Sequence, residues 1–227
     1  MPLILNIETG TEVCSVTLVK DKQLLALAES DNGMEHGRLL SPFIERILGE
    51  QQLTVSQLDA IAVSEGPGSY TGLRIGVATA KGLCFGANKP LIAINSLQSL
   101  AMLAIKQNPD VDILCPMIDA RRMEVYTALF DTSGNLLSEV SAKIVDEHSY
   151  AELLANKRIA FFGNGAEKCK QLIQSVNAVF LDVKHSAKGM IAIADDKYTK
   201  KDFADTAYFE PFYLKDFVVT TSKKRLF

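Results

Sequence analysis

The chain repeats one order of predicted elements, and this repeat constrains its fold more than any other feature. Hydrophobic patterning predicts a strand ending in Ile7-Glu8, a tight turn, a return strand from Val13, and then a strand, helix, strand and helix. Ser96 is predicted to cap the last helix of this unit, which reaches Gln107. The same order restarts with a strand that ends in Ile118-Asp119 and returns from Glu124, followed by a strand at 136–145, a helix at 149–156, a strand at 158–162 and a helix at 166–175. Because the unit occurs only twice, it predicts a duplicated α/β protein and not a solenoid.

This plan predicts an actin-like ATPase fold, of the ASKHA or ribonuclease H-like class, with two related lobes that contain mixed sheets. We place the first lobe at residues 1–108 and the second at residues 109–227. The only adenosine-binding glycine pair that the second lobe offers is Gly163-Asn-Gly165, and little glycine follows it. A shortened second lobe is therefore expected. ATP turnover is not expected, and weak nucleotide binding is left open.

A glycine-bearing helix is predicted at residues 72–85, after a buried strand, a Gly66-Pro-Gly68 turn and a capping Ser69 or Thr71. Its glycines recur with helical spacing, in the stripe Gly72, Gly76 and Ala80. Each interior glycine costs about 1 kcal/mol relative to alanine, so something is expected to pack there closely. That neighbour is a ligand phosphate, the chain's own sheet or a second protein.

A phosphate cradle is the weakest of these three alternatives. The segment lacks G-x-x-x-x-G-K-[ST], because Leu73 and Arg74 stand where Lys-Ser/Thr would be needed. The dinucleotide pattern also fails, since the run ends in Thr71 and Pro67 offers no amide donor.

Composition narrows the class of protein. A hydrophobic content of 48%, a charged content of 22% and a net charge of −3 are typical of a soluble globular protein and unlike a nucleic-acid coat. The sequence has no run of 18 apolar residues and no basic start, so neither a membrane anchor nor a signal peptide is expected. Four cysteines without a C-x-x-C pattern favour a reduced, cytoplasmic protein.

Candidate catalytic groups are few. Glu8 with Thr9-Gly10-Thr11, and Asp119 in the second unit, stand where actin-like ATPases place acids and phosphate-binding hairpins. We interpret them as a vestigial phosphate hairpin whose acids accept hydrogen bonds from turn amides. The histidines, which are His36, His148 and His185, form no H-E-x-x-H or H-x-x-x-H pair, so no metal site is expected. No G-x-S-x-G supports a serine nucleophile.

Five segments resemble the TsaB (YeaZ) family. They are Ile4-Leu-Asn-Ile-Glu-Thr, His36-Gly-Arg-Leu-Leu-Ser-Pro, Gly66-Pro-Gly-Ser-Tyr-Thr-Gly-Leu-Arg-Ile-Gly, Ile118-Asp-Ala-Arg-Arg-Met-Glu-Val-Tyr and Glu210-Pro-Phe-Tyr-Leu. The resemblance is strongest over residues 3–130, although the family more often has Asp in the position of Glu8. It implies a non-catalytic scaffold subunit that activates TsaD, the catalytic subunit that forms threonylcarbamoyladenosine in tRNA.

The resemblance also implies partners: a heterodimer with TsaD, contact with TsaE through the complex, tRNA reached indirectly, a homodimer in isolation, and no cofactor or membrane. The predicted helix 37–51 carries an apolar band, interrupted by a proline that should bend or restart it, and the family docks through this helix and the glycine helix. The predicted partner interface comprises Leu39, Pro42, Phe43, Arg46, Ile47, Leu73, Arg74, Gly76, Val77 and Ala80. The alternative is that both helices are buried within their own lobe and do not bind a partner.

Two other functions stay open from the residues alone. One is an autonomous actin-like ATPase or kinase, and the other is an M22-type, glycoprotease-like metallopeptidase. The basic segments 197–201 and 222–227 are expected to be solvated ends, with a peripheral phosphate contact as the alternative.

Overall fold

The computed structural model describes residues 2–32 and 35–215. The first lobe contains a five-stranded sheet in the order β3-β2-β1-β4-β5. Its first three strands pair antiparallel, whereas β4 and β5 continue the sheet in parallel with β1. The strands are β1 (Leu3–Glu8), β2 (Cys14–Lys20), β3 (Gln23–Ser30), β4 (Ala60–Gly66) and β5 (Leu91–Asn95).

The second sheet repeats this topology. Its order is β10-β9-β6-β7-β8. Read from the β8 edge, this is the third, second, first, fourth and fifth strand of the unit, as in the first sheet. The antiparallel and parallel pairings also match those of the first sheet. The duplicated α/β plan is therefore confirmed. The strands are β6 (Ile113–Asp119), β7 (Glu124–Thr127), β8 (Ser141–Ile144), β9 (Ile159–Phe162) and β10 (Ala178–Leu181).

Two long helices cover one face of the first sheet. Helix α1 (His36–Glu50) packs on β2 and β3, and α2 (Tyr70–Ala87) packs on β4 and touches α1. Their buried side chains share one apolar core with β1, β2 and β4. Helix α3 (Ser96–Ile105) contacts strands of both sheets and so joins the two lobes.

The second lobe is reduced, as expected, but more strongly than the sequence predicts. The helix predicted at 149–156 is the single turn α4 (Ala151–Leu154), and the one predicted at 166–175 is a 3₁₀ turn at Glu167–Cys169. The strand predicted at 136–145 is also shorter, because Leu136 forms only an isolated bridge with Phe130 before β8 begins.

After β10 the chain returns to the first lobe. Helix α5 (Ile191–Lys200) packs on β1 and β5, and Met190 and Ala194 complete an apolar core with Ile4 and Ile92. Residues 203–215, which we call the strap, continue along the first lobe. The predicted boundary at residue 109 lies between the strands of the two sheets, but residues 187–200 cover the second apolar face of the first sheet, and the strap then passes beside β5 and α2.

Local signals predicted the helix ends only in part. Ser69 caps α2 as predicted, accepting a hydrogen bond from the Gly72 N–H at 3.3 Å. The predicted cap of α3 at Ser96 is wrong, because the Asn95 side chain takes this position and accepts from two backbone amides. Pro42 lies inside α1, which runs as one helix without the predicted restart.

Candidate functional site

The β1–β2 hairpin holds the first acid of the predicted phosphate hairpin. Glu8 is fully buried, and its Oε1 accepts a hydrogen bond from the Gly10 N–H at 2.7 Å. The Thr9 N–H donates to Ser64 Oγ at 3.3 Å. Burial raises the pKa of the Glu8 carboxyl to about 7, and the hydrogen bond from Gly10 opposes this rise only in part. A buried carboxyl with this hydrogen bond stabilises the turn between β1 and β2.

The glycines before and within α2 pack against this hairpin. A Cβ added to Gly68 would lie 2.2 Å from the Gly10 carbonyl oxygen, and one added to Gly72 would lie 2.1 Å from that of Thr9. The Ser69 N–H donates to the Gly10 carbonyl oxygen at 2.7 Å. The sequence allowed three neighbours for the glycine stripe: a ligand phosphate, the chain's own sheet or a second protein. In the structure the neighbour is the chain's own β1–β2 hairpin. This side of the hairpin is therefore closed by α2.

The second acid of the predicted hairpin is engaged by a lysine. The Asp119 carboxylate contacts Lys168 Nζ and also accepts from the Arg121 N–H at 3.0 Å. The same ammonium donates to the carbonyl oxygens of Arg122 and Glu124, each at 2.7 Å. Its three donors are thereby used, and Asp119 is neutralised where it stands. This arrangement agrees with the predicted turn-holding role of Asp119.

A cleft of about 360 Å³ lies between the hairpin and the second lobe. Asn164 bridges the lobes across it, donating to Glu12 Oε2 at 2.5 Å and accepting from the Asp119 N–H at 3.0 Å. The predicted adenosine-binding glycines pack inward: a Cβ on Gly163 would lie 2.5 Å from the Met117 carbonyl oxygen, and one on Gly165 would lie 2.9 Å from Ile118. Both glycines thus serve close packing on β6.

Other titratable groups are buried individually. Burial lowers the pKa of His185 to about 4, and His36 Nε2 lies 3.2 Å from the Val13 carbonyl oxygen. Burial raises the thiol pKa of Cys14 to about 11 and of Cys84 to about 12, which makes them poor nucleophiles. Within residues 2–32 and 35–215, no group of three or more His, Cys, Asp or Glu side chains could hold a metal ion.

The ten predicted interface residues divide into two sets. Five are buried within the first lobe: Ile47, Leu73, Gly76, Val77 and Ala80. The prediction is corrected for these five, because packing against the sheet and the hairpin leaves them no surface for a partner. The other five are exposed or partly exposed: Leu39, Pro42, Phe43, Arg46 and Arg74. Their role in docking stays a prediction.

Two of the exposed side chains are held by neighbouring aromatic rings. The Arg46 guanidinium lies 5.3 Å from the Phe43 ring centroid, and that of Arg74 lies 5.0 Å from the ring of Tyr70, whose hydroxyl it also contacts. Tyr213 of the strap packs on Tyr70 with ring centroids 5.0 Å apart. Cations stacked in this way are fixed in position and still accessible to a partner.

The sequence reading missed an outward-facing stripe on α2. Ala78, Gly82 and Gly86 follow one another at helical spacing and are exposed, and a Cβ on either glycine would meet no atom within 4 Å. Phe85, which is 88% exposed, stands beside them. The same spacing rule that picked out Gly72 and Gly76 was available for this stripe. We define the docking face as the exposed residues of α1 and α2.

None of the described helices has the length and apolar character that a membrane span requires.

Comparison with known protein families, sequences and structures places the chain among tRNA-modification proteins. A family model described as "TsaD: tRNA N6-adenosine threonylcarbamoyltransferase" matches residues 31–222. The tRNA threonylcarbamoyladenosine biosynthesis protein TsaB of Escherichia coli is 31% identical over 94% of this chain and 94% of its own. TsaB of Haemophilus influenzae is 29% identical over 94% of this chain and 93% of its own.

Similarity to the transferase itself is partial. The tRNA N6-adenosine threonylcarbamoyltransferase of Sphingopyxis alaskensis is 32% identical over 49% of this chain and 37% of its own. The crystal structure of YeaZ from Pseudomonas aeruginosa, in contrast, superposes with a TM-score of 0.81 at 25% identity, covering 94% of this chain and 100% of its own. Similarity along nearly the whole length, joined to the duplicated topology, shows that the chain belongs to the TsaB (YeaZ) family.

Proposed function

We propose that the chain is a non-catalytic subunit of the complex that forms threonylcarbamoyladenosine in tRNA, and that it activates TsaD by binding it on the docking face. The observation that carries this proposal is the outward stripe of α2, where Gly82 and Gly86 face open space. Each glycine costs about 1 kcal/mol in a helix relative to alanine, and none of the described residues of this chain fills the space. A second helix packed against α2 would use it.

The remainder of the docking face suits a partner helix. Phe85 offers a large apolar side chain to a pocket, and Pro42 adds a flat apolar surface on α1. Arg46 and Arg74 stand at fixed positions for carboxylates of a partner. A surface of this kind, with apolar groups between cations, is typical of a protein–protein contact.

The absence of a catalytic role is supported by how the acids are used. Glu8 is buried under α2, and Asp119 is paired with Lys168. Burial keeps Glu8 away from solvent, and Lys168 offsets the charge of Asp119, so we do not expect either carboxylate to position a metal ion or a phosphate group. We therefore propose that the subunit needs no cofactor of its own and does not turn over ATP, which disfavours the autonomous ATPase or kinase and the metallopeptidase.

The proposed assembly follows from the family. TsaD would bind as a heterodimer on the docking face, TsaE would join through the complex, and tRNA would be reached chiefly through TsaD. Relatives named as the transferase share about half of this chain, which supports a pairing of two similar lobes. In isolation the same face would pair two copies of this chain. We place the complex in the cytoplasm, where the tRNA substrates are.

A binding experiment with a matched control tests the docking face. Gly82→Leu adds a bulky side chain to open space on α2, whereas Ala192→Leu makes a similar change at an exposed position of α5, which covers the other face of the sheet. We expect Gly82→Leu to weaken binding to TsaD about tenfold or more, which corresponds to about 1.4 kcal/mol. Ala192→Leu should bind as the unaltered chain does. Equal binding by both variants would remove α2 from the interface.

An activity assay tests the non-catalytic role. The isolated chain should neither modify tRNA nor hydrolyse ATP, and adding it to TsaD and the remaining components should raise tRNA modification. Turnover of ATP by the isolated chain above about 1 per second, the low end of ordinary enzyme rates, would contradict the proposal.

A further inference from the structure

The turn between β6 and β7 presents two adjacent arginines. Arg121 and Arg122 are exposed and have φ angles of +70° and +50°. Glycine and asparagine enter this left-handed region far more easily than arginine does. The turn therefore keeps two cationic side chains where other residues would fit the backbone better.

A lysine donates hydrogen bonds to the backbone of this turn and also pairs with the nearest carboxylate. Lys168 Nζ donates to the Arg122 and Glu124 carbonyl oxygens at 2.7 Å and contacts the Asp119 carboxylate. The Glu124 carboxylate is in turn paired with Lys215. Each acid beside the turn thus has a lysine of its own. As far as the described residues go, neither arginine forms an ion pair, so both charges remain available to a ligand.

In the basic segment at residues 197–201, by contrast, lysines form ion pairs with nearby carboxylates. Lys197 pairs with Asp202 at 2.9 Å, and Lys200 pairs with Asp196 at 2.7 Å. Local carboxylates therefore pair with two of the three lysines of segment 197–201, the first of the two candidate phosphate contacts from the sequence. The other segment offered, residues 222–227, lies outside the described residues.

The arginine turn lies close to the docking helices. Tyr213 of the strap packs on Tyr70 at the start of α2, and Lys215, only two residues further, contacts Glu124 next to the turn. Two residues of chain span about 7 Å at most. A ligand held by a partner on the N-terminal part of α2 would thus be within reach of both arginines.

We propose that Arg121 and Arg122 bind phosphodiester groups of the RNA substrate. The inference rests on the proposed function, which brings a tRNA to the complex. Guanidinium groups match phosphate oxygens in a bidentate geometry, and two adjacent guanidinium groups on a turn fit successive phosphates of a backbone. The overall net charge of −3 confines this attraction to the turn, so the subunit adds phosphate contacts without being a general polyanion binder.

The test uses a variant that preserves the turn. Arg121→Asn with Arg122→Gly removes both charges and installs residues that favour positive φ, so its melting temperature should equal or exceed that of the unaltered chain. The control, Lys200→Ala with Lys201→Ala, removes the same charge from α5. Each chain is assembled with TsaD, and binding of an unmodified tRNA transcript is measured by fluorescence anisotropy at several salt concentrations.

The expected result is a dissociation constant about three- to tenfold higher for the arginine variant. The slope of log K against log salt should be shallower by about 1.5, as expected for two lost phosphate contacts. The lysine control should match the unaltered complex. RNA binding that is unchanged in the arginine variant would overturn the proposal.

Two further readouts separate this inference from the proposed function. Loss of TsaD binding by the arginine variant without RNA would assign the arginines to the protein partner, and so would also overturn an RNA site. Failure of the unaltered chain to bind TsaD at all would instead refute the proposed docking function. Competition by millimolar ATP or inorganic phosphate as effective as by tRNA would identify a site for free phosphates and overturn the RNA-backbone assignment.

Discussion

Gly76 of α2 lies directly against Thr9 of the β1–β2 hairpin: a Cβ added to this glycine would stand 2.2 Å from Thr9 Oγ1. The helix that we propose for docking is thus seated on the hairpin that the sequence predicts to be a vestigial phosphate hairpin. The contact continues at Gly72 and Gly68. This close packing of α2 occupies the space beside Thr9 and Gly10.

Replacing Gly76 is expected to destabilise the chain itself. Gly76→Leu forces a bulky side chain into the space occupied by Thr9, and overpacking of this kind costs about 1–3 kcal/mol or more. For a chain of this size, each kcal/mol lowers the melting temperature by about 2–4 °C. A thermal melt measures the effect, with Gly82→Leu as control. An unchanged melting temperature for Gly76→Leu would show that the hairpin moves away at little cost.

The outward glycine should respond in the opposite direction. Gly82→Ala places a methyl group in open space, so the isolated chain should gain up to about 1 kcal/mol of stability from the better helix former. Urea unfolding of the isolated chain measures this gain. A loss of stability would mean that Gly82 makes internal contacts, which would weaken the case for docking there.

The buried carboxyl of Glu8 predicts a pH dependence of stability. Its pKa is raised on folding from 4.5 to about 7, so the folded state binds the extra proton between these values. The contribution is complete below pH 4.5 and is lost as the pH rises to 7, by about 3 kcal/mol at 1.36 kcal/mol per pH unit.

Glu8→Gln should remove this contribution, because glutamine stays neutral and its carbonyl can still accept from Gly10. Urea unfolding between pH 5 and 8 compares the variant with the unaltered chain. Parallel profiles would mean that Glu8 is not the group responsible. His185 acts over an overlapping pH range with the opposite sign: its pKa is lowered to about 4, so its contribution to stability falls below pH 6.5 in both proteins and cancels in the difference between their profiles.

The order of elements along the chain could be predicted because alternating and continuous apolar runs, acidic turns and caps are local signals. β1, α1, β4 and α2 lie within a few residues of their predicted bounds. The path after β10 could not be predicted in this way. The α5 segment has alternating Ile and Ala with two aspartates, and only the apolar face offered by Ile4, Ala62 and Ile92 explains why it returns to the first lobe.

The candidate site shows the same limit. Helical spacing correctly indicated that something packs closely at Gly72 and Gly76, but spacing alone does not say which side of a helix faces the core. That depends on where the hairpin lies in three dimensions. The lysine beside Asp119 was hidden for the same reason, since Lys168 comes from a distant turn and no local pattern links the two.

Self-association of the isolated chain is the last expectation, and Phe85 makes it testable. This side chain is 88% exposed on the docking face, so covering it in a dimer of two copies would remove a large apolar surface from water. Because Phe85 makes little contact within the chain, Phe85→Ser should leave the melting temperature of the monomer nearly unchanged. The dimer should weaken about tenfold or more, as for the loss of a central aromatic contact.

Val176→Ser is the matched control for that variant, because Val176 is 96% exposed but lies in the second lobe, away from α1 and α2. Sedimentation at increasing protein concentration should show the same dimer for this control and for the unaltered chain, and mainly monomer for Phe85→Ser. The docking face pairs with itself only if all three results hold. An unaltered chain that stays monomeric at tens of micromolar, a range in which weak dimers form, would show that its apolar groups are too few to pair without TsaD.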